Sequence, residues 1–161
     1  MIYKASLDKT ALVVTIGVSI LFAVIIGGQY SIIKDAENAT PIYTTVGLLL
    51  IYTLAFAFSP TGYIITADEI MIRRPLTNVR IKRVDIERVE LVEEQTMNGA
   101  LRTFGVGGLF GYYGGFANTS IGRMTWYATR KDTAVLLRTV NDKKIILTPN
   151  ERQQFVNHLN S

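Results

Sequence analysis

The residues best suited to phosphate chemistry lie in FGVGGLFGYYGGFANTSIG, Phe104 to Gly122, where seven glycines and five aromatic rings fall in nineteen residues without a charge. A Walker loop ends in Gly-Lys-Ser/Thr, because the lysine neutralises phosphate and the hydroxyl holds magnesium. No lysine occurs between Arg102 and Arg123. The dinucleotide pattern G-x-G-x-x-G also fails: Gly105 and Gly107 are followed by Phe110, with Gly111 one position late, and no helix start follows to present amides to a pyrophosphate. The glycines therefore read as bends and close backbone passages, with Phe104, Phe110, Tyr112, Tyr113 and Phe116 filling a core or an interface. The functional alternative is a loop resting on a bilayer, with Tyr112 and Tyr113 at the interface.

Other chemistry has few residues to carry it. The chain has one histidine, His158, and no cysteine, so a zinc site or a Cys/His or Ser/His nucleophile would need unusual ligands. His158 falls near the C-terminal end of the chain in a helical pattern and reads as a surface histidine without a partner. Glu93 and Glu94 sit in a charged segment with no sign of burial. No catalytic, cofactor-binding or metal-binding residue is assigned, and the chain reads as non-enzymatic.

The basic residues Arg73, Arg74, Arg80, Lys82, Arg83 and Arg88 form a different constellation. Each exposed cation near an anionic leaflet contributes about 1 kcal/mol, which makes Arg73, Arg74, Arg80 and Lys82 candidates for lipid headgroup contact. Asp85, Glu87, Glu90, Glu93 and Glu94 follow at once, so a solvated edge of mixed charge is the competing reading. No aromatic platform adjoins the cations and the net charge is only +4, which argues against nucleic acid. Trp126 and Tyr127 fall on one strand and face opposite ways; an outward Trp126 would be a partner-binding hot spot, an inward one core.

The elements that must position these residues begin with two apolar runs, which account for a mean hydropathy of +0.24. No charge lies between Lys9 and Lys34, and residues 11–29 are long enough to cross about 30 Å of hydrocarbon as a helix. The second run, residues 42–59, is bounded by Pro41 and Pro60. A polar link at residues 30–41 makes the pair an antiparallel hairpin. A cleaved signal peptide and a pair of buried soluble helices are the alternatives; the first run is long for a signal sequence and is followed by no clear cleavage site, and neither run has a polar stripe. Lys4 and Lys9 precede the first run and Arg73, Arg74, Arg80, Lys82 and Arg83 follow the second, so the positive-inside bias places residues 1–10 and 60–161 in the cytoplasm, with Tyr30, Tyr43 and Tyr63 as interfacial anchors. The expected location is the cytoplasmic membrane, crossed twice.

From Gly62 onward the pattern is short strands separated by turns. GYIIT and EIMIRR form a hairpin across Ala67 and Asp68. In residues 78–93 the alternation slips near Val84 and again near Val89, which implies a bend between two strands or a bulge, with a helix as the competing reading. Strands follow at residues 122–130, 133–140 and 143–149. A helix start then reads from Thr148 as cap, Pro149 at the first position and Glu151 closing a capping box, with Phe155, Val156 and Leu159 as the apolar stripe.

The order YIITADEIMIRR, I-x-x-V-D-I-E-R-V, FGYYGGF, the YAT strand and TPNERQQFVNHL resembles the bacterial pleckstrin-homology-like domains of small membrane proteins, over Tyr63 to Leu159. The resemblance implies a bent antiparallel sheet or small barrel plugged by a C-terminal helix, attached to membrane spans, and it supplies no catalytic residues. The expected partners are the bilayer with anionic lipid or a protein, or a second copy of the chain in a homo-oligomeric assembly.

Overall fold

The computed structural model describes residues 1–33 and 40–160. Strand β1 (Ile2–Lys4) precedes helix α1 (Lys9–Ile33), and helix α2 (Thr40–Ala57) leads into β2 (Gly62–Ile65), β3 (Glu69–Arg73) and β4 (Val79–Lys82). A 3-10 turn at Arg83–Asp85 leads to β5 (Ile86–Leu91) and the short helix α3 (Glu94–Asn98). The chain then forms β6 (Leu101–Gly108), β7 (Gly111–Asn118), β8 (Gly122–Ala128), β9 (Val135–Thr139), β10 (Lys144–Leu147) and helix α4 (Arg152–Asn160).

Helix α1 starts two residues before the expected position because Asp8 caps it: the carboxylate accepts the Ala11 N–H at 2.7 Å and the Asp8 carbonyl accepts the Leu12 N–H at 2.9 Å. Its Lys9–Gln29 segment is long and apolar enough to cross a membrane, and only 6% of that window is buried. Helix α2 is apolar but shorter, and it ends at Ala57, where the Ser59 hydroxyl bonds back to the Phe56 carbonyl at 2.8 Å. The two helices touch through Ser19 and Tyr52, whose hydroxyls are 2.6 Å apart, and through the Phe22 and Tyr52 rings. Thr45 bonds Gln29 one end further along, so the helices run antiparallel. The link at residues 30–41 was expected as a loop; 30–33 and 40–41 continue the helices, and 34–39 lie outside the described residues, as does the Tyr30 side chain.

One sheet has the order β1-β2-β3-β4, all antiparallel, and the other β5-β9-β10-β8-β7-β6. Both slips read in residues 78–93 are present. Val84 sits at the 3-10 turn, 81% exposed, and the β5–β9 register shifts between Ile86 and Arg88. The expectation of a purely antiparallel sheet is corrected at β10, which runs parallel to β8. The chain leaves β8, skips one position to lay down β9, and the β9–β10 hairpin folds back into the gap.

Sheet faces follow from this order. Tyr63, Ile65, Ile70, Ile72 and Ile81 meet Val135, Leu137, Ile145 and Leu147 across the two sheets, and Phe155 and Val156 of α4 close the end. Leu136 and Ile146 point the opposite way, into a second cluster with Tyr112, Phe116, Trp126, Met97 and Ala11. Strands β9 and β10 are thus buried on both faces, which is why Val135 to Leu137 and Ile145 to Leu147 are apolar without alternation.

Two local expectations fail for one reason. Thr148 is no helix cap; α4 begins at Arg152, and the buried Thr148 hydroxyl accepts the Thr129 N–H at 2.9 Å while its own N–H donates to the Tyr63 hydroxyl at 3.0 Å. Tyr63 is no interfacial anchor; it is 0% exposed, and its hydroxyl donates to the Tyr127 carbonyl at 2.6 Å. The core claims both residues.

The N-terminal segment is also more than a tail. Residues Ile2 to Lys4 pair with Ile64 to Gly62, Tyr3 packs edge-on against Phe155 at 5.1 Å, and the Asn150 N–H donates to the Lys4 carbonyl at 3.0 Å. Asn150 Oδ1 in turn accepts from Ser6 N–H and Oγ. The domain therefore begins before α1.

Candidate functional site

The glycine and aromatic stretch is a β-hairpin whose tip seats on the helices. Gly105 and Gly114 face each other in β6 and β7 with φ of 98° and 114°, and a Cβ on either would come within 2.9 Å of the other's Cα. Only glycine allows that approach. At the tip, Phe110 adopts φ 56° and places its ring against Tyr52 at 5.1 Å and Phe56 at 5.3 Å. Its N–H donates to Thr15 Oγ1 at 2.9 Å, so α1 is held through a side chain and α2 through rings. Tyr113 donates to the Ala55 carbonyl of α2, and Tyr112 to the Asp8 carboxylate at 3.2 Å.

Burial pushes the Tyr113 hydroxyl pKa up, and burial with the nearby Asp8 charge does the same for Tyr112. Burial alone outweighs the two Thr148 hydrogen bonds at Tyr63 and takes it up to about 12. All three phenols stay neutral donors across the physiological range.

These positions decide the aromatic candidates. Tyr112, Tyr113 and Trp126 are buried, Trp126 at 0% exposure and stacked on Phe116 with ring centroids 4.1 Å apart. Of the two readings left open for each, burial favours the core: Trp126 faces inward, and Tyr112 and Tyr113 pack inside instead of lying flat on a bilayer. Phe104 is the exception to the expected core role, 80% exposed on the free edge strand β6.

The basic candidates divide. On β3 and β4, Ile70, Ile72 and Ile81 point inward, so Arg73, Arg80 and Lys82 share the outer face with Glu69 and Met71. Arg80 meets Glu69 at 3.8 Å, a solvent-exposed pair of small energetic weight. Arg73 lies opposite Gly62, and Gly62 lies opposite Lys4, so the β1 cation joins the same row. Arg74 leaves this face: its guanidinium bonds Thr77 at 2.6 and 2.9 Å and sits 5.4 Å from the Phe58 ring centre, next to the end of α2. His158 is not a lone surface group either, since Nδ1 lies 3.4 Å from the Tyr3 hydroxyl. Reading the sequence missed Lys4, Thr15 and Asp8, because only the β1–β2 pairing and the seating of the hairpin tip bring them to the site.

A family model described as the bacterial PH domain matches residues 61–161. No curated protein and no solved structure matches the chain. The match starts just after α2 and so leaves out Tyr3 of β1, which belongs to the first core, and Ala11 of α1, which belongs to the second. With most of its length in that match and its two sheets closed by a C-terminal helix, the chain belongs to the bacterial PH domain family.

Proposed function

We propose that this chain is a non-enzymatic binding module of the cytoplasmic membrane, anchored by α1 and α2 as a two-span hairpin and presenting its PH domain to anionic lipid headgroups on the inner leaflet. The observation that carries this reading is the seating of Phe110, held by Thr15 of α1 and packed on Tyr52 and Phe56 of α2. A domain bolted to both helices cannot swing away from the surface they enter. The β1–β2 pairing supports the hairpin, since it requires the chain to leave for α1 and return from α2 on the same side. The exposed apolar surface of α1 and α2 supports a lipid environment. Arg73, Lys82 and Lys4 on the outer face of the first sheet supply the positive charge.

The test uses the absence of cysteine in the chain. Single cysteines at Asn38 and at Asn141 are to be labelled in intact and opened cells. Labelling of N38C from outside and N141C only after opening is the expected result; N38C and N141C labelling from one side would refute the hairpin. Binding is tested by reversing Arg73 and Lys82 to glutamate in the full chain, which should lower its association with anionic vesicles and reduce the salt sensitivity of what remains. Unchanged association would remove the basic face from the function.

One observation favours a second reading, self-association under the membrane. Strand β6 is a free edge eight residues long with Leu101 76% and Phe104 80% exposed, which is the type of edge that pairs with another chain. A discrete oligomer in mild detergent that Phe104→Lys dissolves would support it, and a monomer at micromolar concentration would exclude it.

A further inference from the structure

A cavity of about 220 Å³ opens between β6 and the Trp126 side of the second sheet, lined by Arg102, Gly107, Tyr112, Phe116, Trp126 and Lys131. Its lining has two cations and no carboxylate. Neither cation is in an ion pair among the described residues, whereas Arg80, Arg88, Arg130 and Arg138 each have a carboxylate partner. The Arg102 side chain folds back along β6 across Gly107, where a Cβ would lie 3.4 Å from its Cδ, and the Lys131 ammonium sits 5.1 Å from the Tyr112 ring centre.

One lining residue carries an unspent donor. Trp126 is fully buried and its indole N–H has no hydrogen-bond partner; among the described residues only Thr133 Oγ1 shares that condition. Buried polar groups in native proteins are nearly always paired, so an orphaned N–H beside two unpaired cations marks a place where an acceptor with negative charge fits. Position gives the source of that charge. Gly108, the neighbour of Gly107, lies against Val14 of α1 and its carbonyl accepts from Thr15, so the cavity stands within two turns of the start of the helix.

We infer that this cavity binds the phosphate of an anionic membrane lipid, with Arg102 and Lys131 as counter-charges and the Trp126 N–H as the buried donor. The inference rests on the reading of α1 and α2 as membrane spans, which sets the cavity at headgroup level. The indole nitrogen is closed to solvent in the free protein, so the phosphate reaches it as the lining opens, with both cations staying on the anion. Trp126 is the only tryptophan of the chain, and its emission therefore reports on this site alone.

The experiment is fluorescence of the full chain in nanodiscs of phosphatidylcholine, with and without phosphatidylglycerol. Phosphatidylglycerol should shift the Trp126 emission, and Arg102→Gln with Lys131→Gln should abolish the shift and weaken retention of the anionic lipid about tenfold, as expected for a lost charge-assisted hydrogen bond. The charge-keeping pair Arg102→Lys and Lys131→Arg should retain it, which separates binding from folding. Identical emission in both discs, or an undiminished shift in the glutamine pair, overturns the inference. Inorganic phosphate titrated into phosphatidylcholine discs is the remaining arm: a response there without one to phosphatidylglycerol assigns the site to soluble phosphate and overturns the lipid source. Failure of the chain to enter either disc would refute the membrane reading itself.

Discussion

Thr148 and Tyr63 show how a core overrides a local signal. Thr148 precedes Pro149 and lies three residues before Glu151, which satisfies every rule for a capping box, yet its hydroxyl serves the Thr129 amide 19 residues away. Nothing in the neighbouring residues encodes that partner. Thr148→Val should leave the Thr129 N–H buried without an acceptor and destabilise the fold by about 1–3 kcal/mol, read as a lower denaturation midpoint. Gly111 was legible as a needed glycine, and the structure says why: φ is 118° and a Cβ would stand 2.7 Å from the Ala128 carbonyl oxygen. Gly111→Val should therefore impair folding, seen as loss of the folded fraction in detergent, rather than alter binding in a folded protein. The buried phenols predict a pH dependence with a defined sign. Tyr63 titrates near 12 when folded against about 10 when unfolded, and Tyr112 and Tyr113 shift the same way. Above pH 10 the unfolded chain loses protons that the native one keeps, so stability is full below that pH and falls as it rises toward 12. A midpoint of unfolding that stays level from pH 9 to 12 would contradict the burial of these hydroxyls.

Among the elements, those with a strong internal period were readable and those defined by their neighbours were not. The β2–β3 hairpin and the two slips after β4 follow from alternation within ten residues. The parallel pairing of β10 with β8 depends on where β9 leaves a gap, and the single turn of α3 has no period to detect. The β6–β7 hairpin was hidden by its own glycines, which remove the side chains that mark a strand and in exchange allow the close approach of Gly105 to Gly114. Its tip is where an element-scale test applies. Phe110→Ala removes two ring contacts, each worth about 0.5–1.5 kcal/mol, and should raise amide exchange in β6 and β7 while leaving the distant β2–β3 hairpin protected. Equal protection in both proteins would show that the tip does not hold the helices.

At the scale of the molecule, sequence patterns gave the order of helix pair, β-rich domain and closing helix, but placed the boundary of the domain after the helices. The family match begins at the same place; what stayed hidden is β1, whose three residues are too few for any period and which gains its identity only from Ile64, Tyr63 and Gly62. A fragment of residues 61–161 alone should thus expose the Phe155 and Tyr63 rings that Tyr3 covers and bind hydrophobic dyes, and a peptide of residues 1–8 should reduce that binding. Dye binding equal to that of the full chain would argue that β1 is dispensable. The same pairing has a consequence for synthesis. Residues 2–4 leave the ribosome some sixty residues before their partners, so β1 waits through the making of both helices. If α1 and α2 span the membrane as proposed, only a chain whose second span returns it to the side it left can bring Tyr3 and Tyr63 together, and closure of that core then proofreads insertion.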